Sequence, residues 1–184
     1  MKLNPIIFYT VIVSLGGFIF GFDASVVSGT IGQITTEFGL SPIDQGLVVA
    51  APTLGAIIST LTAGYISDTI GRRTTLMIIA LLYLVSALAS AFAPSYDALV
   101  VARFIGGLAF CSLMIAPMYI AEISPAESRG KMVSVNQLNI VVGFSAAYFA
   151  NYYILNLSQQ PLEWVSAIQL DTQTWRWMLG VEIV

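Results

Sequence analysis

Three ionisable side chains stand in stretches otherwise suited to hydrocarbon: Asp23, Arg103 and Glu182. Charges at such depth are rare, and where they occur they pair, line wet paths or carry protons. Burial favours the neutral form of a carboxyl group, whereas a neighbouring guanidinium favours the carboxylate. Withdrawing Arg103 would therefore let Asp23 take a proton, which ties protonation to helix movement. On this reading Asp23 is the proton site, Arg103 its modulator and Glu182 an accessory carboxylate. The other reading is a static Asp23–Arg103 pair that pins two helices. Several other chemistries are closed off. The chain has no histidine, which removes histidine triads, H-E-x-x-H metal sites and histidine proton relays. The single cysteine, Cys111, excludes an internal disulfide and lies in an apolar run where packing explains it. No nucleophile–base set or metal-ligating cluster stands out. An enzyme, a bound metal, an organic cofactor and a nucleic-acid partner are all not expected.

The elements that hold these charges follow from composition. Hydrophobic residues make up 57% of the 184-residue chain and charged residues 9%, against about 25% charged in soluble domains. A bilayer core of ~30 Å needs ~20 apolar residues of helix. Leu3–Phe22, Gln45–Ser67, Thr74–Tyr96, Phe104–Ala121 and Met132–Leu162 carry no charge. The expected spans are Pro5–Ser28, Gly46–Ser67, Thr74–Ala93, Asp97–Ile120 and Gly130–Leu155, with a sixth helix beginning near Trp175. Between the first two spans, Thr30–Gln45 is expected to be a connection. The first span is read as retained, because no A-x-A-like cleavage site follows it. The fold expected is an all-α membrane protein with five complete transmembrane helices plus the start of a sixth.

Basic residues set the orientation of such a protein. Lys2, Arg72, Arg73, Arg129 and Lys131 fall at the N-terminus and in the second and fourth connections, so that side is expected to be cytoplasmic, in a plasma membrane. On this scheme Asp23 lies about five residues before the outer end of the first span, and Arg103 about six after the start of the fourth. At ~1.5 Å per residue both sit roughly 8–9 Å below the outer boundary. Glu182 is expected at a similar depth, so the three can meet if the first, fourth and sixth helices are neighbours.

At the basic junction of the second and third spans stands Gly64-Tyr-Ile-Ser-Asp68-Thr-Ile-Gly71-Arg72-Arg73. Gly64 would allow close helix contact, Gly71 a turn that bulkier residues resist, and Asp68 would accept hydrogen bonds where the backbone runs out of partners. Arg72, Arg73 and Arg129 can meet Asp68 and Glu122 across the two basic connections. Exposed ion pairs contribute only ~0–1 kcal/mol each, so such a network must act jointly. A purely structural or topological role for these residues is the alternative.

The spacing G-x-x-x-D-x-x-G-R-R resembles the loop 2–3 signature of the major facilitator superfamily. Arg103-Phe-Ile-Gly-Gly, followed by Pro117-Met-Tyr119-Ile-Ala-Glu122-Ile-Ser-Pro125-Ala-Glu-Ser-Arg129-Gly130, resembles the sugar porter signature. Gly21-Phe-Asp23, Asn136-Gln137-Leu-Asn-Ile140-Val-Val-Gly143 and Trp175-Arg176-Trp177 resemble further segments of that family. The resemblance spans nearly the whole chain and implies the N-terminal bundle of a two-bundle transporter, with a mid-membrane substrate site exposed alternately to each side. It further implies that the charge network closes the cytoplasmic side. Proton-coupled members carry Asp at the position of Asp23. Gln137 matches a sugar-contacting glutamine, Ile140 lies one turn on, and Phe20 matches an aromatic near the site. An interhelical hydrogen bond for Gln137, and core packing for Ile140 and Phe20, are the competing readings.

The function expected is proton symport of a monosaccharide, hexose or pentose. The alternatives are a facilitative sugar or polyol (inositol) carrier and a non-transporting membrane sensor or assembly subunit. Besides sugar, proton and lipid bilayer, the partner implied is the C-terminal half of the transporter. Residues 1–184 are read as an N-terminal half truncated in its sixth helix and not expected to transport alone.

Overall fold

The computed structural model describes residues 5–160 and 163–183. The described residues form α1 (Pro5–Phe38), α2 (Pro42–Ile70), α3 (Arg72–Ala91), α4 (Tyr96–Leu108), α5 (Ser112–Ile123), α6 (Arg129–Ser158), α7 (Glu163–Ala167) and α8 (Thr174–Gly180). A 3₁₀ turn at Ala109–Cys111 joins α4 to α5, and another follows α8 at Val181–Ile183. With Tyr96–Ile123 taken as one span, five segments of the described residues are long and apolar enough to cross a membrane. No strand occurs among the described residues.

Each break has a local cause. Gly39 has a φ of +62°, which ends α1 in a left-handed turn. Ser41 and Asp44 then form a reciprocal capping box, with Pro42 at the first helical turn of α2. Gly71, at φ +85°, separates α2 from α3, the turn expected of it. Ser95 caps α4 by accepting from the Ala98 amide at 3.3 Å.

The first span differs from expectation. Helix α1 does not stop near Ser28 but runs ten residues further, through part of the expected connection. At ~1.5 Å per residue it is about 51 Å long, well beyond the ~30 Å hydrocarbon layer. The reason lies in packing. Ile31, Ile34 and Phe38 continue an apolar stripe that packs in one cluster with Val165 and Leu170 of the α6–α8 connection and Trp175 of α8. The extended tip is therefore covered by another part of the chain. The fourth span also departs from expectation in being interrupted by the 3₁₀ turn.

Packing orders the bundle. Helix α1 lies along α6, α4 against both α2 and α3, and α8 between α1 and α3. The closest crossings depend on absent side chains. A Cβ at Gly21 would collide with the Ile140 carbonyl, one at Gly143 with the Phe18 carbonyl, and one at Gly107 with the Pro52 carbonyl. Small residues let membrane helices approach in this way. Gly64 differs from this expectation: nothing from a neighbouring element lies within 4 Å of a Cβ built there, so among the described residues it makes no close helix contact. The outer surface is strongly apolar, with Leu61 82% and Phe149 75% exposed. That is an unfavourable surface in water and an ordinary one in lipid or beneath a partner bundle.

Candidate functional site

Asp23 and Arg103 meet. Both are nearly fully buried, and Arg103 Nη1 pairs with Asp23 Oδ1. Arg103 Nη2 also donates to the Asp23 backbone carbonyl at 3.3 Å. Helix α1 supplies the carboxylate and α4 the guanidinium, and the two elements belong to one packed bundle. The half-buried Glu182 carboxyl lies within hydrogen-bonding reach of Asp23 and feels the Arg103 charge. Asp23 Oδ2 is buried and accepts no hydrogen bond among the described residues. Two facing carboxylates have acceptors but no donor, and a proton held between them would supply one. The three charges converge although α1 ends ten residues later than expected, because their meeting depends on packing rather than on distance from a helix end.

Two groups escaped the sequence reading, one beside this site and one farther along α1. The Tyr83 hydroxyl and Ser112 Oγ are hydrogen-bonded at 3.1 Å, both buried. At the tip of α1, Glu37 accepts from the Trp175 indole and from Arg176 Nη2 at 3.4 Å. The continuing stripe of Ile31, Ile34 and Phe38 is the signal that would have placed Glu37 on a helix.

The residues implied for sugar contact fall into different settings. Gln137 is exposed on α6. Ile140 is only 6% exposed and is seated over Gly17 and Gly21 of α1. Phe20 is half-buried, edge-on to Phe110 at 4.7 Å and near Phe144 at 6.4 Å between ring centroids.

At the basic end, one arginine makes the network. Arg72 pairs with Asp68 at 2.6 Å and with Glu122 at 3.2 Å, and also contacts Ser67. Helices α2, α3 and α5 are thus joined through one guanidinium. Arg73 and Arg129 are exposed and enter no ion pair among the described residues.

A family model described as "Sugar (and other) transporter" matches residues 9–184. The chain belongs to the sugar transporter family. Family membership agrees with the fold: the inward-open xylose transporter XylE from E. coli superposes with a TM-score of 0.84 at 33% identity, covering 97% of this chain and 45% of that one. The chain is 34% identical over its whole length to the glucose transporter GlcP of Staphylococcus epidermidis, matching 38% of that protein. It is 37% identical over 92% of its length to the arabinose-proton symporter of Bacillus subtilis, matching 35% of it. The chain therefore spans little more than a third of these curated relatives. It is a membrane protein of the major facilitator fold, in a family of transporters.

Proposed function

We propose that residues 1–184 form the N-terminal bundle of a transporter that carries a hexose or pentose across the plasma membrane by proton symport. The observation that carries this reading is the buried Asp23–Arg103 pair with Glu182 beside it. An ion pair taken out of water is costly, and here one of its oxygens has no donor among the described residues.

When Arg103 Nη1 leaves Asp23 Oδ1, the carboxylate loses its counter-charge and takes a proton. When the arginine returns, that proton is released. Because Arg103 belongs to α4 and Asp23 to α1, the exchange is coupled to relative movement of those helices. The relatives named as glucose, arabinose-proton and xylose transporters support a monosaccharide as the cargo. Gln137, exposed on α6, offers a donor and an acceptor to sugar hydroxyls. Phe20 and Ile140 shape the wall behind it. The bundle supplies one wall of the substrate cavity, and a C-terminal bundle the other.

The Arg72 hub, with Asp68 and Glu122, faces the cytoplasm on this reading and takes part in closing that side, with Gly64, Gly71, Arg73 and Arg129 around it. Its position follows the positive-inside rule. The test is transport by the assembled transporter. Asp23→Asn should abolish uphill uptake and leave counterflow exchange intact. Accumulation undiminished in that variant would sink the proton-site reading.

A further inference from the structure

The tip of α1 carries a cluster that proton coupling at Asp23 does not itself use. Glu37 receives both the Trp175 indole N–H and Arg176 Nη2. Arg176 Nη1 donates to the Ala91 carbonyl at 3.2 Å, where α3 ends. Its guanidinium also stacks over the Trp175 ring, 4.4 Å from the centroid. Trp175 is 1% exposed and packs edge-on against Phe38. The Glu37 carboxylate thus ties α1 to the first turn of α8, and the Arg176 guanidinium extends the tie to α3.

The 3₁₀ turn that continues from α8 carries Glu182, six positions beyond Arg176. From Asp23 to Glu37 along α1 is about 21 Å at ~1.5 Å per residue, and from Arg176 to Glu182 about 9–12 Å at ~1.5–2 Å per residue. The remaining ~10 Å is what an extended glutamate and arginine reaching towards each other span. The clamp at the tip and the carboxylates below it are therefore two rungs of one ladder between α1 and α8. Slipping α8 by one residue at the upper rung displaces the lower one.

We propose that Glu37 and Arg176 are positioning residues: their clamp sets the register of α8 along α1, and so holds Glu182 against Asp23. This rests on the proton-site reading above. The titratable groups around Asp23 are Arg103 from α4, Tyr83 from α3 and Glu182 beyond α8. Helices α2, α5 and α6 bring no charged side chain to that level, since their charges lie at their ends. Losing the clamp should alter how readily Asp23 and Glu182 share a proton, without removing either group.

The experiment is the pH profile of sugar uptake by the assembled transporter in proteoliposomes, measured beside counterflow exchange at one pH. Glu37→Gln should displace the pH at which uphill uptake is half-maximal while counterflow stays within about twofold. Arg176→Lys keeps the charge but loses the stacked fork, and should displace the profile in the same direction. It carries the test if the glutamine variant fails to reach the membrane. Unmoved profiles in both variants, with only a lower thermal midpoint, would reduce the clamp to a structural staple and overturn the proposal. The Asp23→Asn control separates the two ideas. If it still accumulates sugar, the proton-site reading fails. If it does not, and the clamp variants leave the profile unmoved, the positioning role alone is wrong.

Discussion

Arg103 is the side chain whose loss should be felt most directly. It is buried, and it neutralises a carboxylate that is also buried. Removing one partner of such a pair leaves an uncompensated charge, at a cost of about 3–5 kcal/mol. Arg103→Gln is therefore expected to lower the thermal unfolding midpoint of the detergent-solubilised chain clearly. Adding Asp23→Asn to it should recover part of the loss, because the orphaned charge then disappears. Equal stability of the single and double variants would show that the pair is not electrostatically coupled. The Arg72 hub differs in kind. Glu122 is half-exposed and Asp68 more so, and screening weakens such pairs. Of the arginines expected there, only Arg72 engages, because it alone starts α3 facing both α2 and α5. That choice among three neighbouring cations depends on helix phase and is invisible in a list of charges.

At the scale of elements, the decisive contacts are backbone against backbone. Gly21 of α1 sits so near α6 that a methyl group there meets the Ile140 carbonyl, which cannot move as a side-chain end could. Overpacking of this kind costs roughly 1–3 kcal/mol. Gly21→Ala should lower the thermal midpoint, and Gly64→Ala should not, since that position opens onto free space within the described residues. The two variants share a chemistry and differ only in surroundings. If they behave alike, helix propensity rather than packing governs both. The same interface explains the setting of Ile140. Sequence spacing sets it one turn from Gln137, yet it is buried over Gly17 and Gly21. Spacing places two residues on neighbouring turns; the helix packed against them decides which one stays free.

For the whole molecule, the distribution of charge makes a topological prediction. Glu127, between α5 and α6, and Asp171, just before α8, are both exposed, and Cys111 is buried. Glu127→Cys and Asp171→Cys in intact cells should react oppositely with a membrane-impermeant thiol reagent. Asp171→Cys is expected to label from outside, and Glu127→Cys only after permeabilisation. The reverse pattern would invert the orientation that the basic connections imply.

The amino-acid sequence by itself determined the solvent, the number of spans and the presence of Asp23 and Arg103 within them, while packing brought the two together. Each follows from large one-dimensional quantities: the cost of charge in hydrocarbon, the rise of a helix per residue, and the distribution of basic residues. The tertiary structure alone decided where α1 ends, that Glu37 is clamped by Trp175 and Arg176, that Ile140 is buried, and that Arg72 rather than Arg73 or Arg129 makes the hub. These depend on which face of one helix meets which face of another. That is set by close packing around a few absent side chains, and it has no signature in the order of residues along a single chain.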